Sequence, residues 1–164
     1  MLFDLSLHVL EKQFDTGDVI ARRKVEFTDQ DYVADIQPMV SNAAVEMFAE
    51  QLPKMIDGTV EKTPQSMLEG ESSYFGKRTP EDSRIDFAKS AREIRNLVRA
   101  VSRPFNGAFF DVGGTRYTVW RADVAPNAAG APAGSVVECG GGKLIFAARD
   151  GLLVSEDFET NPAE

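Results

Sequence analysis

Residues 11–20 read Glu-Lys-Gln-Phe-Asp-Thr-Gly-Asp-Val-Ile, and the aspartate in the middle is placed where it could do chemistry. Asp15 stands between two runs of strand-like alternation, so its carboxylate could serve proton transfer, hold a turn, or do both. Asp-Thr-Gly is also the triplet of aspartic proteases, whose reaction needs two aspartates sharing one proton. The sequence has no second copy, which removes that reaction. His8 is the sole histidine and Cys139 the sole cysteine. Multi-histidine metal centres, Cys-x-x-Cys zinc sites and an internal disulfide are therefore excluded, and no metal is expected. His8 lies on a strand face beside Ser6 and reads as structural; Cys139 reads as a buried spectator. Gly113-Gly114 and Gly140-Gly141-Gly142 suggest phosphate cradles, but neither leads into a helix with a following lysine and hydroxyl. They read as turns. Arg92, Arg95, Arg99 and Arg103 are spaced three, four and four apart. That line is either a solvated helix face or a surface for phosphate or RNA.

The elements that must position these groups follow from hydrophobic periodicity. Leu5, Leu7 and Val9 alternate with polar residues, as do Val19, Ala21, Val25 and Phe27, which predicts two strands flanking the Asp-Thr-Gly loop. Thr28-Asp29 starts a helix whose apolar positions run from Val33 through Ile36, Val40, Ala44, Met47, Phe48 and Leu52, closing near Gly58, with Pro38 as a kink or restart. Residues 59–84 lack periodicity and hold prolines, glycines and many charges, which reads as a linker without packed structure. Ser90 and Glu93 form a capping box, and Ile94, Leu97, Val98 and Val101 make one apolar stripe ending before Pro104. Strand-like segments at 107–112 and 115–124 enclose Gly113-Gly114 as a hairpin turn. Three more short strands, at 135–139, 143–148 and 152–158, suggest a small barrel closing around Ile94, Leu97, Val98, Val119, Trp120, Leu144 and Ile145. The last residues, 159–164, are expected to form a loose tail.

Composition bounds these readings. The chain has 164 residues, 43% of them hydrophobic and 27% charged, enough for one good core or two small ones. A net charge of −8 argues against a surface that coats nucleic acid throughout, although charge can be local. The first residues carry Asp4 within an apolar run and no basic segment, so neither a signal peptide nor a membrane span is expected, and the location is expected to be cytoplasmic.

Several segments together resemble the 10-formyltetrahydrofolate-dependent formyltransferases. The stretch from Ser6 to Phe27 is similar to the end of their catalytic domain, with its strand histidine, folate-contacting loop and Asp-Thr-Gly or Asp-Ala-Gly triplet. The stretches SYFGKRTPEDSRIDF, LVRAVSRPFNGAF and TRYTVWRADV resemble the linker and C-terminal domain of the same family, in the same order. Within the family, the branch that formylates UDP-4-amino-4-deoxy-L-arabinose has a similar segment before the final domain, and methionyl-tRNA formyltransferases resemble it less there.

The resemblance implies an α+β fold: a remnant of a Rossmann-like catalytic domain at 1–58, a linker at 59–84, an OB-like β-barrel domain at 85–158 and a tail at 159–164. It also implies that Asp15 is the catalytic aspartate and that Glu11, Lys12, Gln13, Phe14 and Asp15 contact 10-formyltetrahydrofolate, the formyl donor. In the family an amine attacks the formyl carbon, an Asn and a His stabilise the developing oxyanion, and the Asp orients that His and helps manage the proton. The family's Asn and His lie upstream of the region matched here, and His8 corresponds to a different, strand histidine. The chain is accordingly expected to be the latter half of the enzyme, inactive alone, and to recruit its missing half or self-associate. The expected acceptor is a UDP-aminosugar, with aminoacyl-tRNA as the alternative and a non-catalytic partner-binding remnant as the third reading. Lysines and arginines of 85–158 only just outnumber its acids, which favours the sugar.

Overall fold

The computed structural model describes residues 2–68, 73 and 75–163 and divides into two compact units, residues 1–31 with 35–76 and residues 32–34 with 77–164. Residues 69–72 and 74, within the expected linker and the Ser-Tyr-Phe-Gly motif, lie outside the described residues, as does residue 164 of the expected tail.

In the first unit, β1 (Leu2–His8) pairs antiparallel with β2 (Val19–Glu26), the register slipping between Leu7 and His8. Helix α1 (Val33–Asp57) follows. Pro38 and Pro53 lie inside α1, so the helix does not restart at Pro38. Pro38 falls in its second turn, so the one carbonyl it deprives is near the helix start, where backbone groups are least committed. Gly58, at φ +76°, ends the helix in the left-handed conformation that glycine adopts without strain. Arg23 on β2 fastens the hairpin to α1: its guanidinium donates to Glu46 at 2.8 Å and to Glu50 at 2.7 Å, two carboxylates one helical turn apart.

The supposed linker is partly structured. Thr63 and Val19 exchange backbone hydrogen bonds of 2.8 Å in both directions, and Gln65–Met67 form a 3₁₀ turn. A short pairing on the β2 edge leaves no hydrophobic period to read, which is why composition alone suggested a free segment.

The second unit is an antiparallel sheet covered by one helix. Helix α2 (Ala91–Val101) begins at the expected capping box: Ser90 Oγ accepts from the Glu93 amide at 3.2 Å, and Glu93 accepts from the Ser90 amide at 2.8 Å. The Ser90 hydroxyl, donating to the Glu93 carboxylate at 2.7 Å, and then the Ser90 amide hold that carboxyl below the ordinary carboxylate range. Asp150, in the turn between two later strands, accepts from the Ala91 amide at 2.7 Å, satisfying a further orphan donor of the first turn.

Strands β3 (Ala108–Val112), β4 (Thr115–Ala125), β5 (Val136–Gly140), β6 (Lys143–Ala147) and β7 (Leu152–Pro162) take the order β3-β4-β7-β6-β5. No pairing among the described residues joins β3 to β5, so the sheet is open where a closed barrel was expected. Its ladder is interrupted by register shifts between Val119 and Arg121, Arg121 and Asp123, and Val136 and Glu138, places where a strand can bend. The expected loose tail belongs instead to β7, whose pairing with β4 runs through Thr115↔Pro162. Polar residues on a solvated strand end resemble a tail in composition. Cys139, expected buried, is exposed on β5.

Ile94, Val98, Val119 and Leu144 are buried as expected, whereas Leu97, Trp120 and Ile145 are half-buried. Phe110 forms the aromatic centre of the core. It stacks on Tyr117 at 4.9 Å between ring centroids, lies tilted at 4.9 Å from Phe146, and receives Phe87 edge-on at 5.2 Å. No helix among the described residues is long and apolar enough to cross a membrane.

One charge cluster ties the segment before α2 to the sheet. Asp111 accepts from Arg116 at 2.9 Å and from Arg84 at 3.0 Å, while both guanidiniums lie over the Phe109 ring. The hydrogen bonds of Arg116, then Arg84, hold the Asp111 carboxyl below its usual value of 3.8. A depressed folded-state value adds stability that is present above the unfolded value and lost as pH falls through the folded one. Asp111→Asn is therefore expected to lower the urea midpoint at pH 7. The gap between variant and parent should shrink on titration below about pH 4, and a gap independent of pH would contradict the cluster.

Candidate functional site

The ten residues joining β1 to β2 are shaped by two tight constraints. Val9 donates its amide to Asp18 O at 2.9 Å, closing the loop at its base. Beside that bond Gly17 is buried, and a Cβ there would stand 1.8 Å from the Val9 carbonyl oxygen. No other residue fits. Thr16 Oγ1 donates to Gln13 O at 3.1 Å, drawing the turn inward. The turn thus accounts for two members of the Asp-Thr-Gly triplet.

It does not account for the aspartate. Asp15 has φ +58°, the only positive φ outside glycine among the described residues. A left-handed residue with a β-carbon costs about 1–2 kcal/mol, somewhat less for aspartate. Its carboxylate is 86% exposed, and the group facing it is His8, whose Nε2 lies 3.6 Å from Oδ1. His8 Nδ1 lies 2.9 Å from the Val9 carbonyl, which can only accept, so that nitrogen carries hydrogen. At 3.6 Å the two side chains stand at ion-pair distance, an attraction that requires the imidazolium.

All five expected site residues lie in this one loop. Glu11, Lys12 and Gln13 line an open cleft of about 430 Å³ together with Thr16, Gly17 and Asp18. Phe14, 93% exposed, and Asp15 occupy the turn and are not among the cleft's lining residues. The cleft therefore offers two carboxylates, an ammonium, a carboxamide and a hydroxyl, with an unburied aromatic ring nearby.

Two neighbours of Asp15 escaped sequence reasoning. His8 was read as structural because periodicity places it on a strand without saying what the loop folds back upon. Gln65 Nε2 donates to both Asp15 O and Gly17 O at 2.8 Å, from a segment about fifty residues on that carries no periodic signal. No group of three or more histidine, cysteine or acidic side chains among the described residues is arranged to hold a metal ion.

The arginine line of α2 is largely engaged. Arg95, its side chain 11% exposed, lies 3.5 Å from Asp123; Arg99 is buried and donates to Asn96 at 3.1 Å. Arg103 pairs with Asp157 at 2.8 Å and stacks over Trp120 at 4.3 Å. Residues 85–158 hold nine lysines and arginines against eight acids. Such a face is tied to its own fold, with little positive charge left over.

Comparison with known proteins adds the lineage. The family described as formyl transferase, C-terminal domain, matches residues 77–161. Among solved structures, HypX from Aquifex aeolicus in complex with tetrahydrofolic acid is 20% identical with a TM-score of 0.71, covering 98% of this chain and 29% of that one. Methionyl-tRNA formyltransferase from Clostridium thermocellum is 20% identical with a TM-score of 0.60, covering 99% and 57%. An N-formyltransferase from Helicobacter canadensis, solved with folinic acid and dTDP-3-aminofucose, is 18% identical with a TM-score of 0.70, covering 96% and 56%. This chain thus spans between about a third and somewhat over half of the length of these proteins.

The backbone at position 15 separates conformational from chemical demand. Asp15→Gly is expected to match or exceed the parent in stability by up to about 1 kcal/mol, whereas Asp15→Val should lose about as much or more. Urea denaturation of the two variants checks this, and equal midpoints would show that the left-handed conformation is not held.

Proposed function

Because the chain belongs to the formyl transferase family through its C-terminal domain, we propose that it serves N-formyl transfer from 10-formyltetrahydrofolate to an amino group. Asp15 is the residue at the reacting centre in this reading, and the loop from Glu11 to Phe14 is the donor's contact surface. The observation that carries it is the mismatch at Asp15: a left-handed position that glycine would fill more cheaply is held by a carboxylate that caps nothing and faces solvent beside His8.

The donor supplies the formyl carbon: as the new C–N bond forms, its bond to N10 breaks, the amine gives up a proton and N10 takes one up. Lys12 suits the carboxylates of a folate tail, Phe14 can lie against its aromatic ring, and Gln13 can hydrogen-bond its amides. The Asp15 carboxylate accepts the proton that the amine must lose, with His8 Nε2 as its neighbour at 3.6 Å. Such a step also needs donors aimed at the developing oxyanion. Neither Asp15 nor His8 fills that role in this reading, so the groups that do are expected from the remainder of a complete catalytic domain. The first unit is read as the latter part of that domain and the second as the domain that follows it.

The acceptor is read as a UDP-aminosugar. Support comes from the near balance of residues 85–158, nine lysines and arginines against eight acids, and from the pairing of Arg95 with Asp123 and of Arg103 with Asp157, which together fall short of the basic excess that an RNA acceptor calls for. Methionyl-tRNA is the second reading, favoured by the cationic excess along α2, where Arg92, Arg95 and Arg99 stand against Glu93 alone.

In the complete enzyme, Asp15→Asn is expected to lower kcat by orders of magnitude with folding intact, since the side chains are nearly isosteric. A kcat within a few-fold of the parent would return Asp15 to the role of a turn residue, and the chain to that of a partner-binding module. Competition between a UDP-aminosugar and methionyl-tRNA, with tRNA binding followed across a salt series, decides the acceptor. Salt-steep tRNA binding that loses about one unit of slope for each of Arg95 and Arg99 replaced by alanine would overturn the sugar reading.

A further inference from the structure

The loop that bears Asp15 is pinned from outside its own hairpin. Gln65 donates both hydrogens of its carboxamide, one to Asp15 O and one to Gly17 O, each at 2.8 Å. The two carbonyls flank Thr16, so one side chain grips the turn on either side of its centre. Gln65 is in turn placed by the paired backbone bonds between Thr63 and Val19 and by the 3₁₀ turn that it opens. A chain segment about fifty residues downstream thereby sets the path of the residue with strained φ.

We propose that Gln65 is a positioning residue: its carboxamide fixes where the Asp15 carboxylate stands relative to His8 and to the group on which Asp15 acts. The functional half of this inference rests on the reading of Asp15 given above. The physical half does not. The bond to Asp15 O is exposed, that to Gly17 O is part-buried, and Gln65 itself is exposed, so removal of the donor lets water reach both carbonyls. Global stability then changes little, while the turn loses the contact that ties the Asp15 and Gly17 carbonyls to one donor. A residue kept for stability alone would show the opposite pattern.

Two variants isolate the donor from the shape. Gln65→Glu keeps the size but presents oxygens to two carbonyls, and Gln65→Met keeps the length with no hydrogen to give. His8 is the only histidine, so its imidazole ¹H–¹³C cross-peak needs no assignment and reports on the neighbouring Asp15. In the chain as it stands, Asp15→Asn defines the direction in which that peak moves when the carboxylate charge is removed. Both Gln65 variants are expected to move it the same way and to speed amide exchange of Thr16, Gly17 and Asp18 by about tenfold, with exchange in α1 unchanged. In formyl transfer by the complete enzyme, Gln65→Glu should lower kcat about tenfold or more with acceptor KM near the parent's.

A His8 peak and loop exchange that stay at parental values in both variants would overturn the proposal. So would perturbation by Gln65→Met alone, because the donor would then not be the cause. If loop order and the His8 peak respond but kcat does not, the positioning role is overturned while the grip on the loop stands. If Asp15→Asn itself leaves kcat intact, it is the reading of Asp15 that fails, and the His8 and exchange data still judge whether Gln65 holds the turn.

Discussion

The β1–β2 hairpin depends on a place where no side chain fits. The Gly17 backbone lies against the Val9 carbonyl so closely that a single added carbon would overlap it, and the Val9–Asp18 bond sits next to that contact. Close approach at the base leaves the residues between Val9 and Gly17 little freedom in the turn they make. Phe14 and Asp15 are driven outward, and Asp15 takes a conformation that L-residues avoid. The cleft beside Lys12, the facing of His8 and Asp15, and the grip of Gln65 all follow from a loop narrowed at its foot. Closeness of packing and strain at the tip are two ends of one constraint.

The second unit is organised differently, around satisfied helix termini and a continuous aromatic core. Glu93 and Asp150 answer amides at the start of α2, one from within the helix and one from the turn between β6 and β7, while its apolar face shares a core with Phe110, Phe146 and Leu153. The arginines beside that face then reach acids at the sheet surface. Long side chains lying over a sheet cover apolar area with their stems, so these residues pack as well as pair. A basic line in sequence can therefore become a seam of the fold.

Much of this was legible in the residues. The capping box named its helix, Gly113-Gly114 named its hairpin, and alternation located both strands around the Asp-Thr-Gly loop, because each signal acts over a few residues. What escaped detection depends on residues far apart. The pairing of Val19 with Thr63 and the reach of Gln65 to Asp15 involve single contacts without period. The open sheet differs from the expected barrel only in whether two edge strands meet, which no local pattern records. The burial of Phe110 and Phe146 was readable as hydrophobicity, but their placement at the aromatic centre was not. The end of β7 looked like a tail because polar residues on a solvated strand and in a free terminus have the same composition. The proposed site residues rest on the family resemblance, and the contacts that support them in the fold carry no sequence signal.

The stacking of Arg103 over Trp120 has a consequence for observing this protein in solution. Trp120 is the sole tryptophan; its indole nitrogen donates to Glu159 at 3.2 Å and its ring face is covered by a guanidinium. Its emission is a label confined to the sheet unit, built from β4, β7 and the end of α2. The single histidine belongs to the other unit. Each unit thus carries one intrinsic optical or magnetic signature that the other lacks, and loss of one signal ahead of the other would time the two unfolding events separately in a single unlabelled sample.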